Sequence, residues 1–324
     1  MADTILTGVK PTGDPHVGNY FGAIRPAVDL VNSNEGAGYI FIADVHALNS
    51  VRDPDFMRTK TREVAATFLA CGIDPDKTVF YRQSDVPEVF ELASILMNFA
   101  PKGLMNRAHA YKAVLDRDGS DDNVNMGLYT YPILMAADIL AMDADIVPVG
   151  LDQKQHIEIA RDIAGSLNSA YGREILKMPS AHIPEAVEVI PGLDGRKMSK
   201  SYGNVVGLFA AEAETAKRIM KIPTDSLPPE APKDDESLIY RLMQLFGVEE
   251  NYRKEFLSGG IGYGEAKKML AEAANAVLRP VRARYAELIA APEKIDAVLA
   301  AGAVRARASA TKTLARVKSA AGLA

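Results

Sequence analysis

The run Tyr39-Ile40-Phe41-Ile42-Ala43 is apolar at every position and stops at Asp44. A strand with one wet face alternates apolar and polar residues, whereas a strand covered on both faces does not. This run therefore calls for a parallel sheet layered between helices. Three more segments fit that frame: Thr4-Ile5-Leu6-Thr7-Gly8, Thr78-Val79-Phe80-Tyr81 and Ala144-Asp145-Ile146-Val147-Pro148-Val149. Helix-periodic stretches lie among them, Gly18 to Asn32 and Met57 to Cys71, with Gly72 as a stop for the second. Alternating strands and helices predict an α/β fold with right-handed crossovers. Ligands of such sheets sit beyond the carboxyl ends of the strands, where Gly8, Asp44, Gln83 and Gly150 fall.

After about Val206 the composition changes. Pro223, Pro228, Pro229 and Pro232 form a connector, and the remainder of the chain is rich in Ala, Glu, Lys and Leu at helical spacing. Two units are expected, residues 1–206 carrying the sheet and residues 207–324 all-helical. The chain's net charge is −5, yet residues 251–324 hold 13 Lys+Arg against 6 Asp+Glu. From Ala303 a closing helix carries Arg305, Arg307, Lys312, Arg316 and Lys318 and no acid. That asymmetry is read either as a face for an anionic partner or as a solvated helix face. No apolar stretch approaches the ~20 residues of a membrane span, so no membrane partner is expected. The single cysteine, Cys71, excludes an intramolecular disulfide and suits a reducing cytoplasm; it reads as a small core residue.

Two short segments carry the chemistry. Lys197-Met198-Ser199-Lys200-Ser201 brings two ammonium groups and two hydroxyls within reach of one anion. Such a loop suits the negative charge that moves onto a departing pyrophosphate, where catalysis is positioning plus electrostatics. About 180 residues earlier, His16-Val17-Gly18-Asn19 comes after the first strand. Gly18 lets a flat base approach the backbone, His16 and Asn19 can donate to phosphate oxygens, and the helix start adds partial positive charge.

The pair resembles the HIGH and KMSKS signatures of the class I aminoacyl-tRNA synthetases. The likeness continues through Gly8-Val9-Lys10-Pro11-Thr12-Gly13, Gln83-Ser84-Asp85-Val86-Pro87-Glu88, Tyr131-Pro132-Ile133-Leu134-Met135-Ala136-Ala137-Asp138-Ile139-Leu140 and Val147-Pro148-Val149-Gly150-Leu151-Asp152-Gln153, with a weaker match at Gly262-Tyr263-Gly264. These segments are similar to the compact bacterial tryptophanyl-tRNA synthetases. The resemblance implies a Rossmann-like doubly wound sheet (1–206) and a helical anticodon-binding unit (207–324). It implies a homodimer acting on L-tryptophan, ATP with Mg²⁺ and tRNA(Trp), with no DNA partner and no protein-held metal site. Tryptophan would attack the α-phosphorus of ATP to give tryptophanyl-adenylate and pyrophosphate, and a ribose hydroxyl of tRNA would then take the acyl group.

By the same resemblance Lys197, Lys200, His16, Asn19 and Lys112 are the catalytic candidates. Lys10, His16, Gly18, Asn19, Gly150, Asp152, Gln153, Lys197, Met198, Ser199, Lys200 and Ser201 would contact ATP. Asp138, Met135, Tyr131, Gln153, His46, Val147, Val149 and Gly8 would form the tryptophan pocket. Asp138 has its own physical case. The indole N–H only donates, and a carboxylate in an apolar pocket would accept from it and reject phenylalanine, which leaves the carboxylate unpaired. The plain alternative is an Asp at the exposed edge of its helix or paired to a cation. His46 is read either as a pocket wall or as a helix-start residue. Tyr131 and Gln153 would hold the α-ammonium. Lys10 stands where many family members have Gln, and Asn19 replaces the last His of HIGH. A tyrosine-specific enzyme, an idle paralogue that binds without catalysis and a plain nucleotidyltransferase remain as alternatives. The chain contains no tryptophan, which suits an enzyme working when that amino acid is scarce.

Overall fold

The computed structural model describes residues 2–108, 111–112, 124–183 and 190–323. Among the described residues five strands, β1 (Ile5–Val9), β2 (Gly38–Ile42), β3 (Thr78–Arg82), β4 (Ile146–Pro148) and β5 (Ser180–His182), form one parallel sheet in the order β3-β2-β1-β4-β5. β2 is buried at all five positions, as its unbroken apolar run requires. β5 is absent from the sequence expectation because Ser-Ala-His has no apolar run to mark it; pairing with β4 makes it a strand.

The chain steps outward from β1 to β2 and β3, then returns to the other side of β1 with β4, so the switch point lies between β1 and β4. The ladder between these two consists of Ile5 and Ile146 alone. Their carboxyl ends are left unpaired with each other, which opens the crevice that a doubly wound sheet offers to ligands.

The helix expected from Gly18 is not uniform. A turn at Val17–Asn19 runs into a π-helical stretch, Tyr20–Ile24, before α1 (Arg25–Ser33) begins. Pro26, lacking an N–H, breaks the α-helical ladder, and Arg25 N–H reaches back five residues to the Tyr20 carbonyl. Next come α2 (Pro54–Ala70), capped by the Asp53 carboxylate on the N–H groups of Asp55 and Phe56, then α3 (Pro87–Leu96), α4 (Met126–Ala141) and α5 (Lys154–Ala170). The helical part adds α6 (Glu212–Met220), α7 (Leu238–Leu245), α8 (Glu250–Ser258), α9 (Tyr263–Ala290) and α10 (Pro292–Ala321).

The described residues form three apolar cores. One joins a sheet face to α3, α4 and α5, and a second joins the opposite face to α1 and α2. The third gathers α6 to α9 around Val17, Tyr20 and Met198. α10 serves both sheet cores, with Ile295 and Leu299 in one and Ala303, Ala306, Ala310, Leu314 and Val317 in the other. It begins eleven residues before the expected Ala303 and crosses β3 at Gly302, where a Cβ would lie 1.9 Å from the Phe80 carbonyl oxygen. An edge strand left bare is a template for aggregation; here a helix covers it.

That docking corrects the expectation for the basic tail. Arg305 donates to the carbonyls of Pro75 and Lys77, Arg307 pairs with Glu88, Arg316 with Asp143 and the Ile175 carbonyl, and Lys318 with Glu91. Four of the five cations clamp α10 to the sheet unit. Neither a free anion-binding face nor a purely solvated one describes them.

Candidate active site

The turn after β1 is held in place by the chain's own side chains. Gly13 has a φ of +82°, a conformation that favours glycine. Asp14 accepts from Lys60 of α2 at 2.5 Å, and this hydrogen bond draws its pKa below the usual carboxylate value. His16 then caps the Val17–Asn19 turn: its Nδ1 accepts the Asn19 N–H at 3.2 Å, while the Asn19 side-chain oxygen accepts the His16 N–H at 3.1 Å. This reciprocal cap uses Nδ1 as an acceptor, so a neutral ring carries its proton on Nε2 and can donate it to a phosphate oxygen. Burial, with a smaller contribution from the charge of Lys200, lowers the His16 pKa and favours that neutral form. Asn19, expected as a phosphate donor, commits its side-chain oxygen to the cap, and the cap holds the side chain whose amide N–H groups are the donors.

The lysine segment forms the far side of a hairpin. Pro191 pairs with Lys197, Met198 N–H donates to the Ile190 carbonyl, and Asn204 ties both sides together. The Asn204 side-chain oxygen accepts the Ser199 N–H at 2.8 Å, and its amide donates to Asp194 at 2.7 Å and to the Lys197 carbonyl at 3.1 Å. Asn204 is buried, and Gly192 leaves it room: a Cβ there would lie 2.2 Å from the Asn204 amide nitrogen. Asn204 is not among the residues expected from sequence, although a Gly-Asn pair three positions beyond Lys200 is a visible turn signal.

The two segments touch. Gly18 N–H donates to the Met198 sulfur at 3.1 Å, and Val17 N–H donates to the Val206 carbonyl at 2.9 Å. A Cβ on Gly18 would lie 3.0 Å from the His16 ring and 3.1 Å from Met198 Cβ. Gly18 thus permits the motifs to meet, a role beyond admitting a base. Lys200 Nζ reaches within 3.0 Å of where a Gly13 Cβ would stand. Met198 is a buried core residue, whereas Lys197, Lys200 and Ser201 are exposed and Ser199 is half-buried.

The residues expected at the amino-acid end cluster around α4. Asp138 is 2% exposed. Its carboxylate accepts from Gln83 Nε2 at 2.9 Å to each oxygen and contacts His46 Nε2 at 2.9 Å. The Gln83 side-chain oxygen in turn accepts the His46 N–H at 3.3 Å. Burial raises the Asp138 pKa, with the His46 and Gln83 contacts opposing it. The exposed-edge alternative for Asp138 is therefore excluded. A carboxylate offers about four acceptor positions, so three contacts leave capacity for one further donor. Tyr131 meets His46 edge-on at 6.3 Å and bonds His156 Nε2 through its hydroxyl. Val147 is buried and Met135 and Val149 are half-buried against the same core. Gln83 and His156 belong to this cluster; the sequence places Gln83 at a ligand-facing strand end without giving it a role, and His156 is not among the expected site residues.

Gly8 lies beneath a ring: it pairs with Phe41 across β1 and β2, and a Cβ would come within 2.5 Å of the Phe41 ring. Lys10 is exposed just past β1. Gly150 leads a helical turn, Leu151–Gln153, beyond β4 on the other side of the switch point. The backbone of Asp152 is in that turn, and its side chain lies outside the described set. Lys112 is exposed and borders residues outside that set. Among the described residues no group of three or more His, Cys, Asp or Glu side chains gathers as a metal site.

The family model of class I tRNA synthetases (W and Y) matches residues 2–279. A tryptophan–tRNA ligase of Neisseria meningitidis is 48% identical across 98% of this chain and 97% of its own length. A tryptophanyl-tRNA synthetase structure from Campylobacter jejuni, complexed with ADP and tryptophan, superposes with a TM-score of 0.89 at 43% identity, covering 99% of this chain and all of the other. Tyrosyl-tRNA synthetase from Aeropyrum pernix, 23% identical with a TM-score of 0.63 over 93% of this chain and 90% of its own, shares the fold. With its paired signature segments joined at the head of a five-stranded parallel sheet, the chain belongs to the class I tRNA synthetases of the tryptophan and tyrosine family.

Proposed function

We propose that this chain ligates L-tryptophan to tRNA(Trp) through tryptophanyl-adenylate, using the two signature segments and the Asp138 cluster. It is a class I tryptophan–tRNA ligase that uses ATP and releases AMP and pyrophosphate. The observation that carries the residue assignment is the contact between the two signature segments, Gly18 N–H to Met198 sulfur, beside the cap that leaves His16 a donor.

ATP lies over Gly18 in the crevice between β1 and β4. His16 Nε2–H and the Asn19 amide donate to its phosphates. Lys197 and Lys200 stabilise charge as the bond from the α-phosphorus to pyrophosphate breaks, with Ser199 and Ser201 as further donors and Lys112 as an outlying one. Gly150, Asp152, Gln153 and Lys10 line the nucleotide side. Mg²⁺ would accompany the phosphates, since such an ion takes few protein ligands; when bound it neutralises phosphate charge. The indole N–H donates to Asp138, which His46 and Gln83 hold; Met135, Val147 and Val149 are the walls, and Gly8 forms the floor with the Phe41 ring. Tyr131 and Gln153 receive the α-ammonium.

Residues 1–206 are the catalytic unit and residues 207–324 bind the anticodon stem, except that α10 is packed on the catalytic unit. A homodimer is carried over from the family, and a reducing cytoplasm is read from the single cysteine. Among the described residues no helix is long and apolar enough to cross a membrane.

Pyrophosphate–ATP exchange with each of the twenty amino acids, without tRNA, tests the reading. Exchange with tryptophan alone is expected. Exchange with tyrosine instead would overturn the role of Asp138, and none at all would leave an idle paralogue.

A further inference from the structure

Tyr131 of α4 and His156 of α5 face each other, ring centroids 5.2 Å apart, with the phenol oxygen bonded to His156 Nε2. His156 is 3% exposed. Tyr131 also makes an edge-to-face contact with His46, which bonds Asp138. Burial raises the Tyr131 pKa to about 12, so the group remains a phenol with one hydrogen to place.

A phenol has one hydrogen and two lone pairs, whereas an ammonium has only hydrogens to give. Tyr131 can therefore serve an ammonium only if its own hydrogen points elsewhere. If Nε2 carried a hydrogen, it would donate to the phenol oxygen, and the phenol hydrogen would turn toward the ligand with the wrong polarity. A neutral His156 with its proton on Nδ1 gives the opposite arrangement. We propose that His156 is a positioning residue for amino-acid activation: its Nε2 takes the Tyr131 hydroxyl hydrogen and so aims the phenol lone pairs at the α-ammonium of the substrate. This rests on the reading of Tyr131 as an ammonium ligand.

The two claims separate with a pair of analogues. Tryptamine keeps the ammonium and lacks the carboxylate; indole-3-propionate keeps the carboxylate and lacks the ammonium. Inhibition constants for both, and KM for tryptophan and ATP in pyrophosphate exchange, are measured for Tyr131→Phe, His156→Phe, His156→Gln and the double variant Tyr131→Phe/His156→Phe. Tyr131→Phe should weaken tryptophan and tryptamine about ten- to hundredfold, the scale of a hydrogen bond to a charged group, with indole-3-propionate and ATP nearly unchanged. His156→Phe should show the same selective loss, the double variant should be no worse than either single one, and His156→Gln, whose amide oxygen also accepts, should recover most of it. Equal loss for both analogues in Tyr131→Phe would sink the ammonium reading, and the proposal with it. Selective loss in Tyr131→Phe but equal loss, or none, in His156→Phe would overturn the proposal alone. So would additive losses in the double variant.

Discussion

The backbone N–H of Gly18 donates to the sulfur of Met198 at 3.1 Å, across 180 residues of sequence. The methionine between the two lysines is thus an anchor in the core that also holds Val17. A methyl group on Gly18 would crowd both His16 and Met198. Gly18→Ala should cost about 1–3 kcal/mol of stability as overpacking and lower kcat/KM for ATP at least tenfold, with tryptophan affinity little changed. The chain has no tryptophan of its own, so fluorescence of the bound amino acid reads that affinity directly.

Lys200→Ala should slow adenylate formation about 10²- to 10³-fold, the scale of losing one transition-state donor, while tryptophan still binds. The same variant bears on His16, whose pKa lies below 6.5 chiefly through burial and secondly through Lys200. Because the folded-state value is depressed, His16 contributes stability that is present above the unfolded value and lost as pH falls through the folded one. Removing Lys200 should move the His16 titration upward toward 6.5, seen by NMR of the imidazole; no movement would separate the two residues.

Asp138→Asn should narrow the preference for tryptophan over phenylalanine at least tenfold, since a site built to accept a hydrogen bond owes its rejection to the unpaired group. Exchange rates for both amino acids give the ratio. The variant also loses the charge that His46 Nε2 faces, so the Tm should fall.

Arg316→Ala with Lys318→Ala should lower the Tm and leave the KM for tRNA within twofold. Each ion pair is partly exposed, and such pairs contribute about 0.2–1 kcal/mol; Arg316 adds its bond to the Ile175 carbonyl. A several-fold rise in KM for tRNA at unchanged Tm would restore the basic tail as a nucleic-acid surface.

The sheet was legible because β2 is an unbroken apolar run and short apolar cores mark β1, β3 and β4, and the signature segments because their residue types are few and their order is set by the strands. β5 was not, being three residues with two polar ones. Asn204, Gln83 and His156 act by burial and by the partners the fold brings to them, and single polar residues carry no periodic mark of either. The basic tail misled for a related reason: charge density along a helix is visible in sequence, but the acids that answer it, Glu88, Glu91 and Asp143, lie in segments far upstream.

Gly302 seats α10 against the backbone of β3, and a neighbouring pair in that contact, Glu88 and Arg307, is separated by 219 residues. At ribosomal speeds of about 5–20 residues per second, that interval takes roughly 10 to 45 s. Throughout it the residues of β3 have been synthesised and those of α10, which cover its outer edge, have not all been. Every strand of the sheet is therefore synthesised before the helix that seals its edge, and chaperone demand during synthesis should track the arrival of α10.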